Sequence, residues 1–349
     1  MLDERTQAWQ QRKESLNYTH TAKMLTQLKA QSETDFLNEV SSVVLQQALR
    51  NLDKAFKNFF EKRADYPKFK SKHGLQSVRY ATNAFRLKGR TLTLAKQSET
   101  LNISWSRPLP KDAKIVSITI SKDRTERYFV SIQVETNIKP LKKVKRTVGI
   151  DVGIKTLATT SDGEKIEHAR HLKKKERRLK IRQRRLSRKV KGSTNRAKAR
   201  FEVAKVHAKI SDSRRDHSHK FTTKIIRENQ AIFVEGLAIV NMLKNHCLAK
   251  AISDAAWGEM FRQFEYKAFW YGRIYLELDR FFPSSKLCSI CGHLLVKLRL
   301  SVREWDCPNC STHHDRDSNA ANNIKIAGEY LLCTESDARK LMPTRYGSQ

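Results

Sequence analysis

Four cysteines fall into two Cys-x-x-Cys turns, Cys288 with Cys291 and Cys307 with Cys310, and fifteen residues separate the pairs. Each turn can present two sulfurs to one ion, and the spacing suits a closed, tetrahedral zinc site. A redox pair or a disulfide is the other use of such turns, but two matched pairs point to metal. His313 and His314 lie nearby, yet four thiolates leave no vacancy for an imidazole. Seven residues after Cys310 comes Asp317-Ser-Asn-Ala-Ala. The zinc loop is therefore expected to hold an acid in place rather than to form a separate binding module. Cys247 and Cys333 are left over and read as ordinary thiols.

The chain of 349 residues carries 69 Lys and Arg against 36 Asp and Glu, a net charge of +33. A charge this large calls for a polyanionic partner, and nucleic acid is the first candidate. An anionic membrane is the rival. No apolar run approaches the ~18 residues of a membrane span, and the start, MLDERTQAWQQRKE, has no signal-peptide core. Metal-spaced cysteines suit a reducing compartment.

Residues 1–62 read as helical. Leu45, Leu49, Leu52, Phe56, Phe59 and Phe60 form one apolar stripe, with Arg50, Lys54 and Lys57 opposite. Tyr66-Pro67 and Gly74 end that region. From 76 to 138 the period becomes two: SVRYA (77–81), TLTL (91–94), LNISW (101–105), KIVSITI (114–120) and YFVSIQVET (128–136) predict short strands in a small barrel or open antiparallel sheet. Residues 139–146, KPLKKVKR, read as a basic linker.

A different domain begins at TVGID (147–151), a short buried strand ending in an acid, followed by the strand GIKTLATT and the turn SDG. Arg170 to Arg200 then holds sixteen Lys or Arg and one acid, Glu176. Leu172, Leu179 and Leu186 recur every seven residues, and Gly192-Ser193 breaks the run before a second helix over 195–228. An αα-hairpin with one thin apolar seam fits. A solvated charged face mixes signs and this one does not, so it is expected to bind phosphates, through Lys173, Lys174, Arg177, Arg178, Arg184, Arg185, Arg188 and Lys189. AIFVEG (231–236) is a second buried strand ending in an acid. A helix over 248–271, a strand in RIYLELDRFF (273–282), the cysteine segment and a helix over 318–332 follow; the tail after 333 shows no pattern.

Three acids occupy similar places. Asp151 and Glu235 end strands, and Asp317 begins the last helix, where an acid also suits the helix dipole. In a β-β-β-α-β-α order, neighbouring strands can set Asp151 beside Glu235, and the last helix can add Asp317. Three carboxylates in one spot repel unless cations hold them. Two Mg²⁺ ions roughly 4 Å apart do that and serve phosphodiester cleavage. Asp315 is the alternative third ligand; Asp317 is preferred because Ala320 and Ala321 behind it let its helix pack closely.

The chain resembles the TnpB (OrfB) proteins of bacterial insertion sequences. These are RNA-guided DNA endonucleases, called transposases in older usage and related to type V CRISPR effectors. The resemblance rests on YPKFKSK (66–72), GIDVGIKTLATTSDG (149–163), the basic stretch 171–200, FVEGL (233–237), NMLKNHCLAKAISDAAWGE (241–259), DRFFPSSKLCSICG (279–292) and REWDCPNCSTHHDRDSNAANNI (303–324), and it reaches to about residue 330. It implies an α+β multidomain fold: an RNase H-like (RuvC) α/β nuclease core carrying Asp151, Glu235 and Asp317, with an inserted zinc ribbon, an N-terminal helical lobe and a small β-barrel. The corresponding divisions are a helical recognition lobe (1–65), a wedge-like oligonucleotide-binding β-domain (66–140), the nuclease core (147–284) with its hairpin (170–228), the ribbon (285–313), a final core segment (314–332) and the tail (333–349).

The resemblance further implies structural Zn²⁺, catalytic Mg²⁺, a guide RNA from the transposon end, double-stranded target DNA, and a bacterial cytoplasmic, nucleoid-associated location. Guide pairing would supply most of the sequence specificity. Relatives usually have a further β-strand and a short helical lead before the point that Met1 occupies, so the helical lobe is expected to be truncated. Gly236 stands where an Asp or Asn is common, and Ser311 where Gly is common; neither removes a ligand. The leading expectation is Mg²⁺-dependent cleavage. The alternatives are a truncated nucleic-acid-binding protein or repressor that does not cut, and guide-independent cleavage.

Overall fold

A computed structural model describes residues 1–71 and 74–334. Lys72 of the YPKFKSK stretch and nearly all of the 333–349 tail lie outside the described residues. The chain forms two compact units, Met1–Asn137 and a second that begins at Ile138.

The first unit starts with helices α1 (Leu2–Arg12), α2 (Tyr18–Lys29) and α3 (Ser42–Phe60), with a 3-10 segment at Ser32–Asn38. Asn17 caps α2: its side-chain oxygen accepts from the His20 amide, and the His20 ring accepts from the Asn17 amide. Of the expected α3 stripe, Leu49 and Phe56 are buried while Phe60 at its end is 69% exposed. Arg5 helps to cover Phe56, stacking 4.2 Å above its ring and pairing with Asp53 at 3.0 Å.

Strands β1 (Gln76–Ala81), β2 (Phe85–Lys88), β3 (Thr91–Leu94), β4 (Thr100–Leu101), β5 (Lys114–Lys122) and β6 (Tyr128–Glu135) follow. They make two antiparallel three-stranded sheets, β1-β5-β6 and β2-β3-β4, around a shared core of Leu92, Leu94 and Ile118. The expected barrel is thus two sheets, with no ladder joining them among the described residues. Strand β2 was not anticipated; Gly89, at φ +58°, makes the turn that pairs it with β3. LNISW yields strand only at its start, and Trp105 instead donates its indole N–H to the Arg90 carbonyl at 3.0 Å.

The second unit comprises β7 (Thr147–Val152), β8 (Thr156–Thr160), β9 (Lys165–Glu167), α4 (His171–Ser187), α5 (Thr194–Glu228), β10 (Ala231–Glu235), α6 (Ile239–Met242), α7 (Ala249–Ala255), α8 (Trp257–Tyr271), β11 (Ile274–Leu278), β12 (Glu304–Asp306), β13 (His313–Asp315) and α9 (Arg316–Thr334). Its main sheet has the order β11-β10-β7-β8-β9. The strands β7, β10 and β11 run parallel, while β8 pairs antiparallel with β7 and β9 antiparallel with β8 at the sheet edge. The helix expected over 248–271 is two helices, broken where Ala256 takes a left-handed φ of 55°. The expected linker 139–146 is pinned to this unit: the buried Arg273 donates to the Lys142 carbonyl at 2.9 Å, and the Leu141 amide donates to the Tyr271 carbonyl at 3.1 Å.

Alternation along the strands decides what each face meets. Val148, Ile150, Ile232 and Val234 point into a core with Phe221 and Ile225 of α5 and Phe264 of α8. The residues between them face α9. Gly149 carries no side chain there, and a Cβ would collide with the Ala321 carbonyl and stand 2.5 Å from the Lys325 nitrogen. Phe233 fills the place opposite Gly328, whose own Cβ would overlap its ring. Helix and sheet therefore meet at close range, with Ala320, Ala321 and Ile324 fully buried between them.

Candidate active site, thiol cluster and basic hairpin

Strand register sets the first two acids side by side. In the β7–β10 ladder Phe233 pairs with Gly149 and Val234 with Ile150, so Glu235 comes next to Asp151. Both share the face of Gly149 and Phe233, which is the face α9 covers. Asp317 lies in the first turn of α9, one turn ahead of Ala321 on the stripe that also carries Gly328. The contact of Gly149 with Ala321 thus brings Asp317 to the end of β7. All three acids are half-buried, neither sealed in nor free in solvent.

Electrostatics record the same meeting. Burial, then the charges of Glu235 and Asp317, push the Asp151 carboxyl well above its ordinary value, although Arg316 and Arg303 pull it down. Burial also raises Glu235. Arg303 reaches to 3.5 Å from an Asp317 oxygen. Asp315, the alternative third acid, is engaged elsewhere. It accepts from Lys165 at 2.8 Å and from the Ser318 amide at 2.9 Å. Burial would raise Asp315, but these bonds outweigh it and hold its carboxyl below the ordinary value. Gly236 also has a local reason: its amide donates to the Leu278 carbonyl at 3.0 Å, and a Cβ would collide with that oxygen.

The four cysteines converge, their sulfurs all within 4.8 Å of one another. Cys288 and Cys310 stand 3.7 Å apart, and Cys291 and Cys307 3.6 Å apart. Burial raises Cys288 to about 11, while hydrogen bonding, first from the Asn309 side chain, lowers Cys291 to about 6. His314 is no substitute ligand; it stacks on Trp305 and lies 3.1 Å from the Cys288 sulfur through Nε2.

Two asparagines that the sequence did not single out tie this cluster to the acids. Asn319 accepts from the Ser289 amide at 3.0 Å and donates to the Leu287 carbonyl at 2.7 Å. Asn323, one turn on, donates to the Ser284 and Leu287 carbonyls at 2.8 and 2.6 Å. Both are buried. The first cysteine turn therefore hangs on the helix that begins with Asp317. Their spacing of four, on either side of the small residues Ala320 and Ala321, was the available signal.

Helices α4 and α5 form the expected hairpin, with a seam of Leu179, Val206 and Ile210 flanked by Leu172 and Val203. Leu186, third in the repeat, is only half-buried. Lys173, Lys174, Arg177, Arg178, Arg184, Arg185, Arg188 and Lys189 are all exposed. The second helix contributes too. Lys174, Lys175 and Arg178 line a cleft of about 290 Å³ with Lys205 and Lys209 of α5.

Comparison with known proteins finds relatives along most of the chain. The family model OrfB_IS605, described as a probable transposase, matches residues 129–246, and the Cas12f1-like TNB domain matches residues 257–324. A protein of Streptomyces pristinaespiralis is 50% identical over 328 residues, covering 94% of this chain and 81% of its own length; its provisional name is RNA-guided DNA endonuclease. The chain belongs to the TnpB (OrfB) family. InsQ of Escherichia coli (strain K12), under the same provisional name, is 32% identical over 331 residues, covering 90% of this TnpB-family chain and 81% of InsQ. Among solved structures, the Cas12f1 chain of a Cas12f1-sgRNA-target DNA complex superposes with a TM-score of 0.56 at 16% identity, covering 93% of this chain and 78% of that one. That likeness speaks for a shared mixed α and β fold.

Proposed function

We propose that this TnpB-family chain is a transposon-associated, RNA-guided DNA endonuclease that hydrolyses phosphodiester bonds at Asp151, Glu235 and Asp317. The observation that carries the reading is the meeting of these three half-buried carboxylates where β7, β10 and α9 join. The strand order and directions of the main sheet support an RNase H-like (RuvC) core spanning 147–284 and 314–332. The two small sheets of 66–140 are assigned to oligonucleotide binding, and the helices of 1–65 to recognition. The relatives' names support guide RNA and target DNA as partners, and the Cas12f1 chain was solved with both. No helix among the described residues is long and apolar enough to cross a membrane; a place in the bacterial cytoplasm, on the nucleoid, suits such substrates.

The acids fit divalent cations. Burial, and then repulsion from Glu235 and Asp317, raises Asp151, and a hard cation with oxygen ligands relieves that cost. Mg²⁺ held by Asp151, Glu235 and Asp317 would supply activation of a water and stabilisation of the leaving oxygen. The chain's own work is to fix the three carboxylates on rigid elements. Arg303 and Arg316 favour the ionised form of Asp151, and the cations of α4 and α5 hold the phosphate backbone. The thiols fit zinc: bonds of about 2.3 Å in a tetrahedron place sulfurs about 3.8 Å apart, close to the 3.6 and 3.7 Å found. Residues 285–313 would then be a structural ribbon, steadying Asp317 through Asn319 and Asn323.

The test is cleavage of target DNA by the purified protein with its transposon-end RNA and Mg²⁺. Asp151→Ala should abolish products while RNA binding persists. Binding of RNA and target with no products in Mg²⁺ or Mn²⁺ would instead establish a binding protein that does not cut, and cleavage without RNA would establish guide-independent action.

A further inference from the structure

Three residues beyond the end of β11, past the residue that pairs with Glu235, an aromatic ring stands in solvent. Phe281 is 76% exposed, whereas its neighbour Phe282 packs into the apolar layer of Phe233, Leu276, Leu278 and Ile324 under α9. The exposure is built. Asp279 accepts from the Phe281 amide through its side chain at 2.7 Å, and its carbonyl accepts from the Phe282 amide at 3.0 Å. The Ser284 amide then donates to the Phe282 carbonyl at 2.8 Å, and the Ser284 carbonyl is held by Asn323. With Phe282 anchored inward, the fixed turn drives Phe281 out.

Position gives the ring a use. Leu278 pairs with Glu235 across the β10–β11 ladder. Three residues of chain span at most about 11 Å, so the ring belongs to the turn that leaves the strand end paired with Glu235. Arg280 lies over one side of it, its guanidinium carbon 4.5 Å from the ring centroid, and has no ion-pair partner among the described residues. Most of the ring's surface still meets solvent. An exposed ring with a free cation beside it matches a stacked base and its neighbouring phosphate, the recurring means of holding single strands without regard to sequence. Cutting also requires the strand to lie still and extended over the carboxylates.

We infer that Phe281 and Arg280 form a stacking platform that seats a base of the DNA single strand entering the Asp151–Glu235–Asp317 centre. The inference rests on the proposed cleavage function, and Phe281 is a positioning residue in it.

Stacking is measured apart from cutting. The full-length chain carrying Asp151→Ala is titrated with a single-stranded DNA oligonucleotide containing 2-aminopurine. Base fluorescence and affinity are read for Phe281, Phe281→Ala and Phe281→Trp, with thermal unfolding as the check on folding. The expected result is fluorescence quenching with Phe281 and with Phe281→Trp. With Phe281→Ala quenching should be lost and binding should be about 10-fold weaker, at unchanged unfolding temperature. Equal quenching and affinity in Phe281→Ala, or no quenching with Phe281 present, overturns the platform. With Asp151 intact, guide-loaded cleavage is followed separately. Cleavage that Phe281→Ala leaves at full rate sinks the platform and keeps the nuclease. Phe281-dependent stacking with no cleavage by the parent keeps the platform as a strand-binding site and sinks the nuclease.

Discussion

Gly149 of β7 and Ala321 of α9 touch backbone to backbone, leaving no room for even a methyl group on Gly149. This contact sets how far along β7 the helix sits, and so where Asp317 arrives relative to Asp151. Gly149→Ala must push α9 away or tilt it. Overpacking of this kind costs about 1–3 kcal/mol, which in a unit of this size lowers the unfolding temperature by roughly 2–10 °C. Cleavage should fall further than stability does, because a displacement of about 1 Å at reacting groups costs about 100-fold. Calorimetry and single-turnover cleavage on the same preparation check both.

The acids were legible because each stands where an apolar run stops: Asp151 after TVGI, Glu235 after AIFV, Asp317 before the small residues of a helix. The hairpin was legible because a single-sign charge run with a leucine every seven residues has few other uses. Strand β2 was missed, and the third strand of the expected order, β9, was given no residues, because three or four half-polar residues carry no readable period. The break at Ala256 was hidden, since alanine is the best helix former and only tertiary contacts around Asp254 and Trp257 set the kink there. Asn319, Asn323 and Gly328 gain meaning only from what lies across from them, which no local pattern shows.

Removing zinc should loosen the acid site through Asn319 and Asn323. About one zinc per chain is expected by elemental analysis. A strong chelator should unfold residues 285–313 locally, seen as fast amide exchange there while β7 and β10 stay protected. Asn323→Ala separates the two effects. It leaves the four thiols intact but removes two buried hydrogen bonds, at a cost of about 1–3 kcal/mol. Zinc content should therefore hold while cleavage falls.

The raised carboxyls of Asp151 and Glu235 give a pH dependence of opposite sign with and without divalent cations. Without added Mg²⁺ the folded chain keeps a proton on Asp151 that the unfolded chain loses near the ordinary carboxylate range. The stability this gives is fully present below that range and is lost as pH rises toward the raised value. Asp151→Asn should flatten this fall and unfold at a higher temperature than the parent at neutral pH without added Mg²⁺. With Mg²⁺ the order reverses, since only the parent gains from binding. Cleavage should rise with pH as the carboxyls ionise, and more Mg²⁺ should shift that limb to lower pH.

The cationic cleft between α4 and α5 carries a prediction that does not depend on cutting. Lys174, Lys175, Arg178, Lys205 and Lys209 face one another with no acid among the cleft's lining residues. Each phosphate they neutralise releases counterions, which steepens the fall of affinity with salt by about 0.7–0.9 in logarithmic slope. Replacing all five by glutamine should lower the slope for RNA by about 3.5–4.5 and weaken binding most at low salt. These side chains lie on the outer face of the Leu179–Val206–Ile210 seam rather than in it, so the hairpin should stay folded. Filter binding across a salt series reads the slope, and an unchanged slope would move the phosphate contacts to another surface.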